Sequence, residues 1–411
     1  MPHAARFVLA VALIAGCGPS TPPLETPASA DGPGAAERLA DLDWLLATVA
    51  RRAAYVDGLD ADAVRAHYRD RAAAATTRAG WIAVLEDVLG ELHDHHASLG
   101  TNTPASPRLV PSGADLWAEM EGDVARITAV RPGGAAERAG VRAGMTVRTI
   151  AGEPAAQAVA RRRPAVRGQD DPEAASWALR VLLAGQHDRP RRLTVCQGAA
   201  ACVDLTLGAP DAPPTDGLVG ARLDGDLGIL RLHNSLGEDA TVAAFDAALA
   251  TLASAKALVL DLRDTPSGGS SEVAEPILGR FVAVAAGYQL VEVHGRDARP
   301  WPKQVRPRAP HEARPLVVLV DRWTGSMGEG MAIGLDGLGR ATVVGSAMAQ
   351  LRGGVDSFEL PRTHIPVRFP IERLLHLDGT PRERWLPPIR VDAVGGEADD
   401  PFLARARELL R

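Results

Sequence analysis

The segment Thr324-Gly325-Ser326-Met327-Gly328-Glu329 follows an apolar run at residues 315–320 and opens a helix-like pattern. A serine at a strand-to-helix turn exposes its hydroxyl. It also lies with its own amide and the next near a helix N-terminus, where negative charge is stabilised. That is how a nucleophile is presented; the competing reading is that Thr324 or Ser326 only caps the helix. A second strand end runs Asp261-Leu262-Arg263-Asp264-Thr265-Pro266-Ser267-Gly268-Gly269-Ser270. Paired glycines before a helix let the backbone turn sharply and present amides to a ligand. If the two strands are neighbours, the amides of Gly268 or Gly269 and of Met327 converge on one oxygen, as an oxyanion hole requires. The natural reaction for such a set is acyl transfer.

These tips need strands to carry them. From about residue 217 the pattern is α/β, with strands at 228–232, 257–262 and 315–320 and helices at 241–255 and 272–284. Strands alternating with helices of that length favour parallel pairing with right-handed crossovers, and sites lie at the strands' C-terminal ends. Residues 36–98 instead show apolar side chains at three- and four-residue spacing (Leu42, Leu45, Leu46, Val49; Trp81, Val84, Leu85, Val88, Leu89), the mark of amphipathic helices. Between 111 and 208 short alternating runs and glycine turns predict a β domain, with strands at 124–130 and 146–150 and a short helix stopped by Gly140. Cys196 and Cys202 flank a Gly/Ala turn in this region and either form a disulfide across a hairpin or stay as two buried thiols.

The ends and the charge narrow the setting. Of 411 residues, 45 are basic and 51 acidic, giving −6 with no basic block, so neither nucleic acid nor an anionic membrane surface is an expected partner. Residues 7–15 form an apolar run too short to span a bilayer, ending in Ile14-Ala15-Gly16-Cys17. This reads as a signal peptide (1–17) with a lipoprotein-type cleavage site, Cys17 being the lipidated residue, followed by a Pro/Ser/Ala tether (18–35). Such a location permits a disulfide.

In their order along the chain, the helical segment closing in Leu92-His93-Asp94-His95-His96, the β domain, the Leu260-Asp261-Leu262-Arg263 strand with its Gly268-Gly269 turn, Ser326-Met327-Gly328-Glu329 and Val343-Val344-Gly345 resemble the C-terminal processing and tricorn-core serine peptidases. The resemblance implies an α/β core of the crotonase and Clp-protease type, an N-terminal helical bundle (36–108), an inserted PDZ-like β domain (109–210), a peptidase core (217–395) and a C-terminal helix (396–411). It also implies Ser326 as nucleophile. Members that use a Ser/Lys pair place the lysine where this chain has Gln350-Leu351-Arg352-Gly353, and arginine cannot give up its proton to serve as a base. The tricorn-like branch takes a histidine from an Asp-x-His position, which corresponds to His96. The family's orienting acid corresponds to Glu383, with Glu372 and Asp378 as alternatives, and Glu329 organises the nucleophile's helix. His95 stands where that branch has a further serine.

The expectation is thus a serine endopeptidase of the cell envelope, lipid-anchored on the periplasmic face of the outer membrane, cleaving unstructured polypeptides recognised through their C-termini. No metal or organic cofactor is expected, although His93, His95 and His96 are close enough in sequence to raise a metal as an alternative. The competing expectation is a catalytically inactive relative that binds a peptide or an apolar ligand.

Overall fold

A computed structural model describes residues 32–168, 171–198, 201–210, 217–293, 299–391 and 400–411. Cys17, the signal segment and nearly all of the tether lie outside the described residues, as do residues 392–399 around the expected end of the core. Among the described residues, no helix is long and apolar enough to cross a membrane.

The α/β core is a six-stranded sheet. From one edge it runs Ile389–Arg390, Thr342–Gly345, Leu316–Val320, Ala257–Asp261, Leu227–Leu232 and Val219–Asp224. All neighbours pair in parallel except the last two, which form an antiparallel hairpin. The central strands Leu-Val-Val-Leu-Val and Ala-Leu-Val-Leu-Asp are buried throughout, as strands covered on both faces must be. Phe245, Ile277, Met331 and Ile333 on three crossover helices cover one face, and Phe402, Leu403 and Ala406 of the Pro401–Leu409 helix cover the other. The helix expected over 272–284 is shorter, Ser271–Leu278 followed by one tight turn, and the Gly279 and Arg280 carbonyls accept from the Arg308 and Glu312 amides at 2.8 and 2.7 Å instead of continuing it.

The N-terminal helices Ala35–Arg52, Ala61–Ala74 and Arg78–Gly90 bury the apolar stripe expected from their residue spacing, but they share their core with distant strands. Leu42, Leu45, Trp81 and Leu85 pack with Leu360, Ile365, Val367 and Phe369 around an antiparallel sheet centred on Pro366–Leu375. Asp41 fixes this docking: its buried carboxylate accepts from the amides of Arg362 and Thr363 at 2.9 Å each and from the Thr363 hydroxyl at 2.6 Å.

The inserted β domain holds Leu116–Glu121, Val124–Val130, Thr146–Ile150, Arg191–Gln197 and Ala201–Leu207 in that order, with the helices Ala155–Arg162 and Pro172–Ala184 against the sheet. The strands at 124–130 and 146–150 and the short helix before Gly140 are as expected. Cys196 and Cys202 face each other in the last hairpin and are joined by a disulfide.

Replacing Asp41 by Ala strands three buried donors, and should lower the unfolding free energy by about 3 kcal/mol. Urea unfolding measures this, and a change within error would show that the helices dock independently of that carboxylate.

Candidate active site

The loops that leave the two central strands remain paired beyond the sheet. The Leu262 amide donates to the Leu319 carbonyl at 2.9 Å, the Thr265 amide to the Trp323 carbonyl at 3.2 Å and the Gly325 amide to the Thr265 carbonyl at 3.1 Å. Thr265 and Thr324 form a parallel bridge, and both hydroxyls donate to the Leu262 carbonyl, at 2.7 and 3.0 Å. Two further ties hold the glycine loop. The Asn234 side chain exchanges two hydrogen bonds with Ser267, and the Ser270 amide donates to the Leu236 carbonyl.

This pairing sets Gly268 directly against Ser326. Gly268 has φ +65°, and a Cβ there would fall 2.3 Å from Ser326 Cβ and 2.9 Å from both Ser326 Oγ and the Met327 amide nitrogen. The space that a side chain would fill is therefore the space in front of the serine oxygen. Ser326 itself has φ 49° and ψ −109°, a left-handed conformation that is costly for a residue with a Cβ and that turns the chain from strand into the Met327–Gly337 helix. The Ser326 amide, not its hydroxyl, makes the 2.8 Å cap bond, to Glu329 Oε2.

The hydroxyl is engaged elsewhere. Ser326 Oγ lies 3.1 Å from His96 Nε2, and His96 Nδ1 lies 2.7 Å from the Arg352 carbonyl oxygen. A carbonyl can only accept, so Nδ1 carries the proton and the Nε2 lone pair faces the serine, the tautomer a general base needs. Asp94 positions the imidazole from the chain side by accepting the His96 amide at 2.9 Å. Burial, and after it the Arg382 guanidinium, push His96 down to about 4, so the ring is neutral at neutral pH. Burial pushes the Glu329 carboxyl up to about 7 against the pull of Arg382 and of the Ser326, Gln350 and Leu351 amides.

Arg382 is the residue that motif reasoning missed. Its buried guanidinium donates to the carbonyls of Leu351 at 2.8 Å, Gly353 at 2.7 Å and Ser326 at 3.3 Å, so it fixes the segment whose Arg352 carbonyl holds His96. Its place beside Glu383 is the reason the structure departs from the expected orienting acid. In the single turn Arg382–Arg384, Arg382 points inward and Glu383 faces a cavity, where its carboxylate accepts from the Tyr55 hydroxyl at 3.3 Å. The structure does not bring Glu383 to the imidazole. Neither alternative replaces it, since Asp378 lies 3.0 Å from His376 Nδ1 and Glu372 is at the Gly354 pairing in the antiparallel sheet. A second adjustment concerns the oxyanion donors. The Gly268 amide is spent on the Thr265 carbonyl at 3.0 Å, whereas among the described residues the Met327 and Gly269 amides have no protein acceptor.

His93 pairs with Asp171 at 3.3 Å and His95 Nε2 accepts from Arg180 at 3.0 Å, so the three imidazoles face different partners. Among the described residues no group of His, Cys, Asp and Glu is arranged to hold a metal.

A Ser–His pair at paired strand ends of a parallel α/β core defines a serine hydrolase arrangement. Residues 226–390, which contain Gly268, Gly269, Ser326, Met327, Arg352, Arg382 and Glu383, match the model of peptidase family S41. The core of this chain is an S41 domain, a serine-type peptidase domain. Among solved structures, the photosystem II D1 C-terminal processing protease is similar over 90% of this chain and 96% of its own, with 20% identity and a TM-score of 0.58. Mature CPAF is similar over 87% of this chain and 92% of its own, with 14% identity and a TM-score of 0.57. At these identities the likeness establishes the shared fold. No curated protein matches the sequence closely enough to count as a relative.

Two outcomes are expected. In the Ser326→Ala protein, the His96 imidazole followed by NMR should titrate near 4; a midpoint near the ordinary histidine value of about 6.5 would mean a solvated ring. Gly268→Ala should lower kcat/KM about a hundredfold or more by filling the space in front of Oγ, and near-unchanged turnover would place the reacting carbonyl elsewhere.

Proposed function

We propose that this protein is a serine endopeptidase of the cell envelope that cleaves unstructured or C-terminally presented polypeptides through an acyl-enzyme. The observation that carries the reading is the 3.1 Å contact between Ser326 Oγ and a neutral His96 beside the unpaired Met327 amide. In the proposed cycle His96 Nε2 takes the hydroxyl proton as Oγ attacks the peptide carbonyl, and the Met327 and Gly269 amides receive the developing oxyanion. His96 returns the proton to the leaving amine, and water, activated by the same ring, releases the acyl group. The Arg352 carbonyl takes over from Glu383 the part of orienting the imidazole, and Glu329 holds the serine's backbone.

The substrate's path is read from a cavity of about 910 Å³ between the N-terminal helices, the β domain and the core, large enough for an extended peptide. Asp94, Gln350, Arg352 and Glu383 line it, so it reaches the residues that hold His96 and Glu329. The inserted domain acts, in this reading, as a PDZ-like module receiving polypeptide C-termini by strand addition. Cys17 supplies a lipid anchor that keeps the enzyme at the periplasmic face of the outer membrane. No metal or cofactor takes part in this scheme.

A second reading has one specific observation in its favour. His96 rests on a carbonyl rather than a carboxylate, so an imidazolium formed during turnover gains less stabilisation than in a Ser-His-Asp triad. An inactive family member that retains a peptide or apolar ligand in the same cavity is the corresponding function.

The purified Ser326→Ala protein should lose hydrolysis of an unfolded protein substrate by roughly 10⁴-fold or more while keeping its thermal unfolding profile. Turnover at the original rate would remove Ser326 from the chemistry, and its absence in the unaltered protein would favour the binding function.

A further inference from the structure

The cavity that reaches Asp94, Gln350 and Arg352, beside the segments that hold His96, contains a cation that the fold leaves incompletely used. Three of its arginines are committed to carboxylates: Arg373 to Asp57 at 2.9 Å, Arg322 to Glu119 at 3.0 Å and Arg352 to Glu173 at 2.9 Å. Arg180 is different. Its Nε donates to His95 Nε2 at 3.0 Å, and its guanidinium lies 4.8 Å from the centre of the Trp117 ring. His95 is stacked on Trp177 at 6.1 Å and is held well below its ordinary pKa by burial and by Arg180, so it accepts as a neutral ring. Among the described residues no carboxylate pairs with Arg180, which lines the cavity and makes its side-chain hydrogen bond through Nε. The acids nearest in effect, Glu119 and Glu173, are the two already taken by Arg322 and Arg352. Of these three guanidiniums, Arg180 is the one without a carboxylate partner among the described residues. With Nε fixed by His95, what remains is the end-on fork of two N–H groups, the geometry that grips a carboxylate in two places.

We propose that Arg180 is a carboxylate-binding subsite for the polypeptide substrate, taking either its free C-terminus or an Asp or Glu side chain. The assignment of the carboxylate to a substrate rests on the peptidase reading of the Ser326 site.

Binding is measured by calorimetry on the full chain carrying Ser326→Ala, with three short peptides of one sequence. The first has a free C-terminus and no acidic residue, the second a C-terminal amide and an internal Glu, and the third an amide with Gln in place of Glu. One or both carboxylate-bearing peptides should bind about tenfold to a hundredfold more tightly than the third, and which of them does so identifies the source of the carboxylate. In the Arg180→Gln form, checked for an unchanged thermal transition, the preference should collapse to near unity. Should that form not fold, Arg180→Lys keeps the stem and charge but loses the fork, and a several-fold drop in preference is the expected result. Equal affinity for all three peptides, or a preference undiminished in a folded Arg180 variant, overturns the subsite. Because no turnover is needed, a protein that hydrolyses nothing yet keeps this preference would sink the peptidase reading and leave the subsite standing.

Discussion

The site depends on backbone pairing continuing past the end of a sheet. Parallel strands place their C-terminal ends side by side, but strands normally splay into independent loops there. Here the register Leu260 to Val318 and Asp261 to Leu319 extends through the Thr265–Thr324 bridge, and a single carbonyl, that of Leu262, collects both threonine hydroxyls. Two loops of opposite duty, one presenting a hydroxyl and one presenting amides, become a single rigid object. The small residues follow from this closeness: a Cβ at Gly328 would stand 2.3 Å from Thr265 Oγ1.

Around that object the charges are arranged by exclusion. Arg382 is spent on three carbonyls and lies 4.0 Å from Glu329, so it steadies the oxyanion loop and the imidazole's support without offering a proton. The same cation and the dry surroundings keep His96 neutral, which makes it available as a base but a weak one. The inserted domain is tied into both loops. Arg131 forms a buried 3.0 Å pair with Asp264, and Trp323 donates its ring N–H to the Ala114 carbonyl at 2.8 Å. The β domain is thus a neighbour of the chemistry, in contact with the loops that carry Gly268 and Ser326.

Much of this is legible in the sequence, and the boundary falls along a physical line. The core strands are visible because a short run of β-branched and leucine residues bounded by turn signals fits a strand covered on both faces. Ser326 stands out through its place between such a run and a helix, and Gly268 through the doubled glycine. His96 comes from residue type and from the resemblance together. The expectation for Glu383 fails because the direction a side chain takes from a single turn is decided by what packs there, and Arg382 takes the inward direction. The Arg352 carbonyl is invisible to side-chain chemistry, since every residue has one. The Pro172–Ala184 helix does not emerge from the pattern of its region, although Asp171-Pro172 is a helix-start signal, with Asp171 accepting the Glu173 amide at 2.8 Å. Its neighbourhood of short alternating runs hides it. Likewise, nothing local tells that helices near residue 45 share a core with a strand near residue 369.

The central claim, that Ser326 is activated by His96, is tested most directly by reaction with a fluorophosphonate followed by peptide mass mapping. The account requires a single adduct on Ser326 whose rate of formation falls sharply in a His96→Gln protein. An adduct on another residue, or labelling of Ser326 at an equal rate without the imidazole, would contradict it.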